Sequence, residues 1–110
     1  MGRLGLGKFE EAVLLAVRRL GATAYGVSIR DDVQQRTRQK VAFGSVYATL
    51  DRLSAKGYVS SHLGDPTPER GGRPKRFYKI EGRGQQALVE AQDQNESVWG
   101  GMPTPNGALS

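Results

Sequence analysis

GSVYATLDRLSAKG (residues 44–57), YVSSHL (58–63), GGRPKR (71–76) and FYKI (77–80) are the segments that decide the fold. The first segment has the apolar spacing of an α-helix, and the second and fourth are short runs that suit β-strands. The third segment combines basic residues with glycines, which permit a tight reversal of the chain. A helix followed directly by a hairpin with a positively charged tip predicts a winged helix-turn-helix.

Apolar periodicity predicts the remaining secondary structure. It indicates helices over Lys8–Leu20, about Tyr25–Arg38, about Gly44–Lys56 and Gly82–Trp99. Gly21 and Gly57 are suited to ending the first and third helices. Lys40–Phe43 is short and β-prone, so we expect it to form a small third strand.

The fold class that follows is α+β, mainly helical, in one domain. We expect a flexible N-terminus at 1–7 and a winged helix-turn-helix at 8–81, with a three-helix core and a β-hairpin wing at 65–76. The last helix, 82–99, is expected to serve dimerisation. The tail at 100–110 has no core-forming pattern and is expected to be disordered.

Charge is distributed unevenly along the 110 residues. All 16 Lys and Arg residues lie at or before Arg83, whereas the charged residues beyond it are the acids Glu90, Asp93 and Glu96. The basic part suits a polyanionic partner, and the acidic end does not. The chain has no Cys and a single His, His62. We therefore expect no disulfide, no metal site and no cofactor.

Several classes of protein are excluded by the sequence. No apolar run approaches the roughly 20 residues that span a bilayer, and the N-terminal residues do not form a secretory leader. We therefore expect a soluble, cytoplasmic protein with no membrane partner. An enzyme is not expected, because the sequence offers no nucleophile–base pair, paired carboxylates or metal set. The G-x-G-x-x-A at 82–87 lacks the second parallel strand of a dinucleotide-binding fold.

Four segments resemble a known family. LGKFEEAVLLAVRRLG (6–21), AYGVSIRDDV (24–33), FGSVYATLDRLSAKGYVSS (43–61) and ERGGRPKRFYKI (69–80) are similar to the PadR-like transcriptional regulators. The resemblance implies a dimeric winged-helix DNA-binding protein, often a repressor and in some members released by small aromatic molecules. Ala42 stands where the family commonly has serine, and the last helix is short and lacks a clean leucine stripe.

The outward side of the third helix supplies the first candidate DNA contacts. Ser45, Thr49 and Arg52 are predicted to lie there, opposite the apolar seam of the helix. They are candidates because hydroxyls can bond phosphates or base edges and Arg can bind guanine. Tyr47 lies at the margin of that side and matches a tyrosine on the family's DNA-facing helix. The plainer interpretation is that these residues only solvate an exposed surface.

The wing supplies the second group of candidate contacts. Its basic residues resemble a clamp on the phosphate backbone, and they are Arg70, Arg73, Lys75 and Arg76. Lys40 is a further candidate for a flanking phosphate. Such contacts make affinity depend steeply on salt, because each neutralised phosphate releases counterions.

The leading hypothesis is a homodimeric repressor that places two recognition helices, at about 44–56, in successive major grooves of an inverted-repeat operator. Leu14 and Leu15 widen the apolar side of the first helix, so we expect dimerisation through the first and last helices. Trp99, the single tryptophan, is predicted to pack in the dimer seam or, by resemblance to drug-binding members, to stack a small aromatic effector. The alternative is a winged-helix protein-interaction module without a specific operator, against which the basic wing argues.

Overall fold

The computed structural model describes residues 6–64 and 74–99, with side chains described as far as residue 95. Within these ranges the chain forms four α-helices and one antiparallel hairpin. The elements are α1 (Lys8–Leu20), α2 (Gly26–Thr37), α3 (Phe43–Ala55), β1 (Val59–Leu63), β2 (Arg76–Ile80) and α4 (Gly82–Trp99), with a 3₁₀ turn at Gly21–Thr23. The predicted mainly helical winged helix-turn-helix is confirmed.

Local backbone chemistry sets the bounds of the first two helices. At the start of α1 the Gly7 amide donates to the Glu10 carboxylate over 3.0 Å, and at the start of α2 the Tyr25 amide donates to the Ser28 hydroxyl over 3.0 Å. Both contacts satisfy amides that a helix N-terminus leaves without a partner. Gly21 ends α1 with φ +56°, as the sequence predicted.

The third helix begins and ends one residue earlier than predicted. Its N-cap, Ala42, provides no side-chain hydrogen bond. Gly57 follows the helix with φ +79°, the left-handed conformation in which glycine is least strained. The helix is therefore fixed at its C-terminal end by backbone geometry, and at its N-terminal end by packing alone.

The hydrophobic core lies where α1, α2 and α3 meet the base of the hairpin. Its largest fully buried side chains include Leu14 of α1, Ile29 of α2 and Leu50 and Leu53 of α3. From the hairpin the core receives Val59, Tyr78 and part of Ile80. Burying such side chains contributes about 1.5–3 kcal/mol each relative to exposure, so the core fixes how α3 and the hairpin lie relative to each other.

The hairpin is tied to the start of α2 as well as to the core. Its register pairs Val59 with Ile80 and Leu63 with Arg76. Phe77 forms an isolated β-bridge with Tyr25, and the Tyr78 amide donates to the Ala24 carbonyl over 2.8 Å. The first residues of α2 therefore hold the base of the hairpin in place.

The predicted third strand at Lys40–Phe43 is wrong. Residues 40–42 have no regular secondary structure, and Phe43 already belongs to α3. Side chains of α2 satisfy the backbone of Val41: Gln34 accepts its amide proton over 2.9 Å, and Arg30 donates to its carbonyl over 3.0 Å. With both groups of the buried Val41 already bonded, no strand partner is needed.

Some predictions fall outside the described residues. These are the flexibility of residues 1–5, the tip of the wing at 65–73 and the disorder of the tail at 100–110. Within the described part of the chain, no helix is long and apolar enough to cross a membrane.

Candidate nucleic-acid interface

The third helix presents one side to the core and the opposite side to solvent. Val46, Leu50 and Leu53 are fully buried, and the residues half a turn away are exposed. The outermost of these exposed residues are Gly44, Ala48, Asp51 and Ala55. Two flanks border this outward surface: one faces α2 and the other faces α1.

The flank facing α2 consists of two aromatic side chains. Phe43 and Tyr47, four residues apart, have ring centroids 6.5 Å apart and an interplanar angle of 25°. The Tyr47 hydroxyl lies against Gly26, where an added β-carbon would come within 2.0 Å of the hydroxyl oxygen. Any larger residue at position 26 would displace Tyr47, so a glycine at the start of α2 makes room for this ring.

Arg30 of α2 fixes the Phe43 ring from another side. Its guanidinium carbon lies 4.5 Å from the ring centroid, within the range of a cation–π contact. The same guanidinium group donates to the Val41 carbonyl and to Asp31. Arg30 is thus anchored at several points, and it holds Phe43 beside Tyr47.

The residue before β2 brings positive charge to the same region. The Lys75 ammonium group lies 4.4 Å from the centroid of Tyr25, whose ring also contacts Phe77 at 5.6 Å. Tyr25 immediately precedes Gly26, against which Tyr47 packs. The N-terminus of α2 therefore joins the start of β2 to the aromatic flank of α3.

Arg76 lies on the hairpin surface that faces α3. Its guanidinium group donates to the Ser61 hydroxyl over 3.0 Å. Burial raises the pKa of the neighbouring Tyr78 phenol, with further contributions from Asp51 and Tyr47, and Arg76 opposes them. Arg76, Tyr47 and Asp51 therefore each lie close enough to Tyr78 to influence its phenol.

The flank of α3 that faces α1 is a charged cluster. Glu10 of α1 accepts from Arg52 at 3.3 Å and from Lys56 at 3.2 Å. Burial alone would raise the pKa of Glu10, but the Gly7 amide and the two cations outweigh it and hold the pKa below its ordinary value. The positive charges of Arg52 and Lys56 are therefore already paired with a carboxylate of the same chain.

The predicted outward position of Thr49 is wrong. Its side chain is 1% exposed, and its hydroxyl accepts from the Arg52 guanidinium over 3.1 Å. Thr49 lies one helical turn from both Val46 and Leu53, so it belongs to the buried side. The prediction drew the buried side through the apolar residues alone, whereas a hydroxyl can also be buried once it has a hydrogen-bond partner.

The other predicted residues have different surroundings. Ser45, Tyr47 and Lys40 are exposed, and Lys75 and Arg76 are exposed at the start of β2. Arg52 is exposed but paired with Glu10, so its role at DNA stays a prediction. Positions outside the described backbone or side chains include Arg70, Arg73 and the side chain of Trp99.

The sequence prediction missed Phe43, Arg30 and Gly26. The signals were present but weak: an aromatic residue at the first position of α3, another four residues later, and a Tyr-Gly pair at the start of α2. An i, i+4 aromatic pair indicates a shared helix side. It does not indicate whether that side is buried, and here both rings are partly exposed.

A second surface lies between α1 and α4. A groove of about 220 Å³ runs between them, with its lining formed by Glu11, Leu15, Arg18, Leu88, Val89, Gln92 and Asn95. Val89 is 51% exposed. Among the described side chains of α4, only Gly84 and Leu88 are buried, so most of this helix has little cover within the chain.

Comparison with known proteins agrees with this architecture. A PadR-like transcription factor from Bacteroides fragilis has 25% identity, a TM-score of 0.67 and coverage of 82% of each chain. A PadR-like regulator from Bacillus cereus has 20% identity, the same TM-score and the same coverage. A PadR family regulator from Clostridium difficile has 18% identity, a TM-score of 0.66 and coverage of 84% of this chain and 91% of its own. No curated protein matches the sequence.

Residues 13–90 match the transcriptional regulator PadR-like family, over most of the chain. Proteins of this family are DNA-binding regulators of transcription and are generally not enzymes. The match includes α2, α3, the hairpin and the first half of α4. The chain therefore belongs to the PadR-like family of transcriptional regulators.

Proposed function

We propose that this protein is a homodimeric repressor that binds an inverted-repeat operator, with α3 in the major groove and the hairpin on the phosphate backbone. The observation that carries the proposal is the convergence at Tyr25–Gly26. There the exposed first turns of α3 and the cationic start of β2, with Lys75 and Arg76, meet on one side of the molecule. A helix and a positive loop on one side suit a duplex, which offers a groove bordered by phosphates.

The first two turns of α3 support insertion into the groove. In helix-turn-helix proteins the N-terminal residues of the recognition helix contact base edges. Here Ser45 and Tyr47 are exposed in those turns, and Gly44 and Ala48 leave the outward surface shallow enough for close approach. Ser45 and Tyr47 supply hydroxyls for bases or phosphates, and Lys40 just before the helix supplies a charge for a flanking phosphate.

The hairpin supports contact with the backbone. Lys75 and Arg76 are exposed at the start of β2, on the loop side of the hairpin, and Arg70 and Arg73 precede them in the chain. Each phosphate that such a residue neutralises adds about 0.9 to the slope of log affinity against log salt. We assign sequence-independent affinity to this group and sequence preference to α3.

Dimerisation is assigned to α1 and α4. The exposed Val89 and the half-buried Leu15 line the groove between these helices, and α4 extends beyond its last described buried residue, Leu88. Apolar surface left open in this way is stabilised when a second copy covers it. Sedimentation should give twice the mass of one chain, and Val89→Asp should lower that mass toward the monomer.

The proposal includes a small aromatic effector, because the chain resembles drug-binding members of the family. Trp99 is the single tryptophan, so its fluorescence reports on one site. Titration with flat aromatic cations should quench this emission and release DNA at the same concentrations. Quenching without release would remove the effector from the proposed function.

Selection from a random duplex library, followed by footprinting, tests the proposal. We expect one enriched inverted repeat, protection of two half-sites about one helical turn apart, and repression of a reporter that carries the site. Enrichment of no sequence, together with binding that salt does not weaken, would instead favour a protein-interaction module.

Two substitutions of basic residues on β2 test separately whether the hairpin contacts DNA. Arg76→Ala should weaken binding to all duplexes and reduce the salt slope by about 0.9. Lys79→Ala is the matched control, because Lys79 lies on the same strand and points to the opposite side. Equal effects of the two substitutions would remove the Arg76 side of the hairpin from the DNA interface.

A further inference from the structure

Three large apolar side chains are exposed together where α2 and α3 begin. Val27, Phe43 and Tyr47 are 42%, 40% and 45% exposed, respectively. Tyr47 touches Gly26, the neighbour of Val27, and Phe43 touches Arg30, which lies one turn after Val27 on α2. Exposed apolar residues are common singly, but here three from two helices form one surface, which we call the apolar corner.

The apolar corner is held rigidly. Phe43 contacts Tyr47 and the Arg30 guanidinium, and Arg30 is itself bonded to the Val41 carbonyl. Gly26 gives the Tyr47 hydroxyl a fixed place. Rings fixed before binding lose little conformational entropy on contact with a ligand. The corner therefore has the properties of a preorganised binding surface.

We propose that the apolar corner contacts the 5-methyl groups of thymine in the major groove and so selects thymine at one or two positions of each half-site. The inference rests on the proposed function and specifies what α3 recognises. Thymine carries the apolar group that a base edge exposes in the major groove, and apolar side chains are its usual partners.

Charge and position favour DNA as the occupant. Phe43 is the first residue of α3 and Tyr47 follows one turn later, so the corner lies at the end of the helix that enters a groove. Cationic groups surround it: Arg30 contacts Phe43, and Lys75 contacts the ring of Tyr25 beside Gly26. An apolar surface bordered by positive charge suits a methyl group that is itself bordered by phosphates.

Removal of single methyl groups from DNA tests the proposal. After selection of a bound duplex, each thymine of the protected half-sites is replaced in turn by deoxyuridine, which lacks only the methyl. Wild-type protein should bind about fourfold more weakly when a contacted methyl is missing, the value of one buried methyl group. One or two thymines per half-site should show this loss, and the others should show none.

Variants of the protein test whether the loss of affinity without the thymine methyl depends on the apolar corner. Phe43→Ala should bind thymine and deoxyuridine duplexes with nearly equal affinity at one of those positions. Gln35→Ala, an exposed change on α2 more than two turns beyond Val27, should keep the wild-type ratio. Circular dichroism checks that the variants fold, and the wild-type measurements decide the question even where a variant does not.

The contradicting outcomes separate this inference from the proposed function. Enriched duplexes without thymine in the half-sites, or deoxyuridine duplexes that all bind as tightly as the originals, would overturn thymine selection and leave the repressor intact. A library from which no sequence is enriched would overturn both.

Discussion

Toward α2, the third helix carries aromatic rings that are fixed in place and still 40–45% exposed; toward α1, it carries an arginine that is exposed but already paired. Phe43 and Tyr47 owe their fixed positions to Arg30 and Gly26, and their outer faces remain available. Arg52 has its donors directed at Glu10 and Thr49. Exposure of a side chain and its availability to DNA are thus separate properties, and on this helix they diverge between the two flanks.

Substitutions on the two flanks should therefore differ in their effects on operator affinity and on the free energy of unfolding. Substitutions on the flank facing α2 should weaken operator binding and leave the fold intact. Substitutions on the flank facing α1 should change the free energy of unfolding first, because the charges there stabilise the packing of α1 on α3.

The largest expected effect is that of Tyr47→Ala. Operator affinity should fall roughly 10- to 30-fold, the range of a central interface anchor, while the melting temperature changes little because the ring is 45% exposed. Fluorescence anisotropy and thermal denaturation measure the two quantities. Tyr47→Phe is the control that separates the hydroxyl from the ring, and unchanged affinity of Tyr47→Ala would contradict the assignment of this flank.

Gly26→Ala should have the next largest effect. The new β-carbon would lie 2.0 Å from the Tyr47 hydroxyl oxygen, so the ring must move. Overpacking costs about 1–3 kcal/mol, and we expect the lower end because the displaced atom is the end of a side chain. Operator affinity should fall roughly fivefold as a result.

A double-mutant cycle sharpens that result. With Tyr47→Ala already present, Gly26→Ala should have almost no further effect on affinity, because the group that it displaces is gone. Additive losses in the double mutant would show that Gly26 acts on DNA binding by a route other than Tyr47.

Arg52→Ala should cost about 1 kcal/mol in the free energy of unfolding, because it removes a partner from both Glu10 and the buried Thr49 hydroxyl. Urea denaturation measures the loss. Arg36→Ala is the matched control, since its pair with Asp32 is longer, at 3.7 Å, and more exposed. A large loss of operator affinity with unchanged stability would instead make Arg52 a direct DNA contact, as the sequence suggested.

Lowering the pH should destabilise the fold through the same cluster, with a smaller effect than that of Arg52→Ala. The folded-state pKa of Glu10 lies below its ordinary value of 4.5, so the unfolded chain binds its proton first. The contribution of Glu10 to stability is then fully present above about pH 4.5 and is lost as pH falls through the folded-state pKa. Glu10→Gln should flatten the dependence of unfolding free energy on pH in this acidic range.

Asp93→Asn is the control for the pH experiment, because Asp93 is exposed on α4 and far along the chain from the cluster. It should leave the acidic slope closer to wild type than Glu10→Gln does. Identical slopes for the wild type and Glu10→Gln would mean that the pairing with Arg52 and Lys56 does not stabilise the fold.

The sequence predicted the fold well because short-range signals determine it. Apolar spacing located the helices to within one residue at most ends, and Gly21 and Gly57 ended α1 and α3 through their backbone conformations. The strand predicted at Lys40–Phe43 does not form, because Gln34 and Arg30 bond the Val41 backbone. Side chains that satisfy a backbone from another element leave no local signal.

The candidate interface was less predictable because availability depends on distant partners. Glu10 is 42 positions from Arg52, and nothing near Arg52 in the sequence shows that its charge is already paired. Because the apolar residues alone define the predicted buried side, the prediction places Thr49 outward, although its place on the helix is within the buried arc. Tyr47 was predicted from the resemblance, whereas the space that Gly26 gives it emerged only from the packing.

Amide chemical-shift changes on addition of operator duplex to ¹⁵N-labelled protein would locate the DNA-contacting residues. We expect the largest changes at Tyr25–Val27, Phe43–Ala48 and Lys75–Arg76, with Glu10 and Lys56 almost unaffected. Changes that cluster along α1 and α4, with the first turns of α3 unchanged, would contradict this expectation.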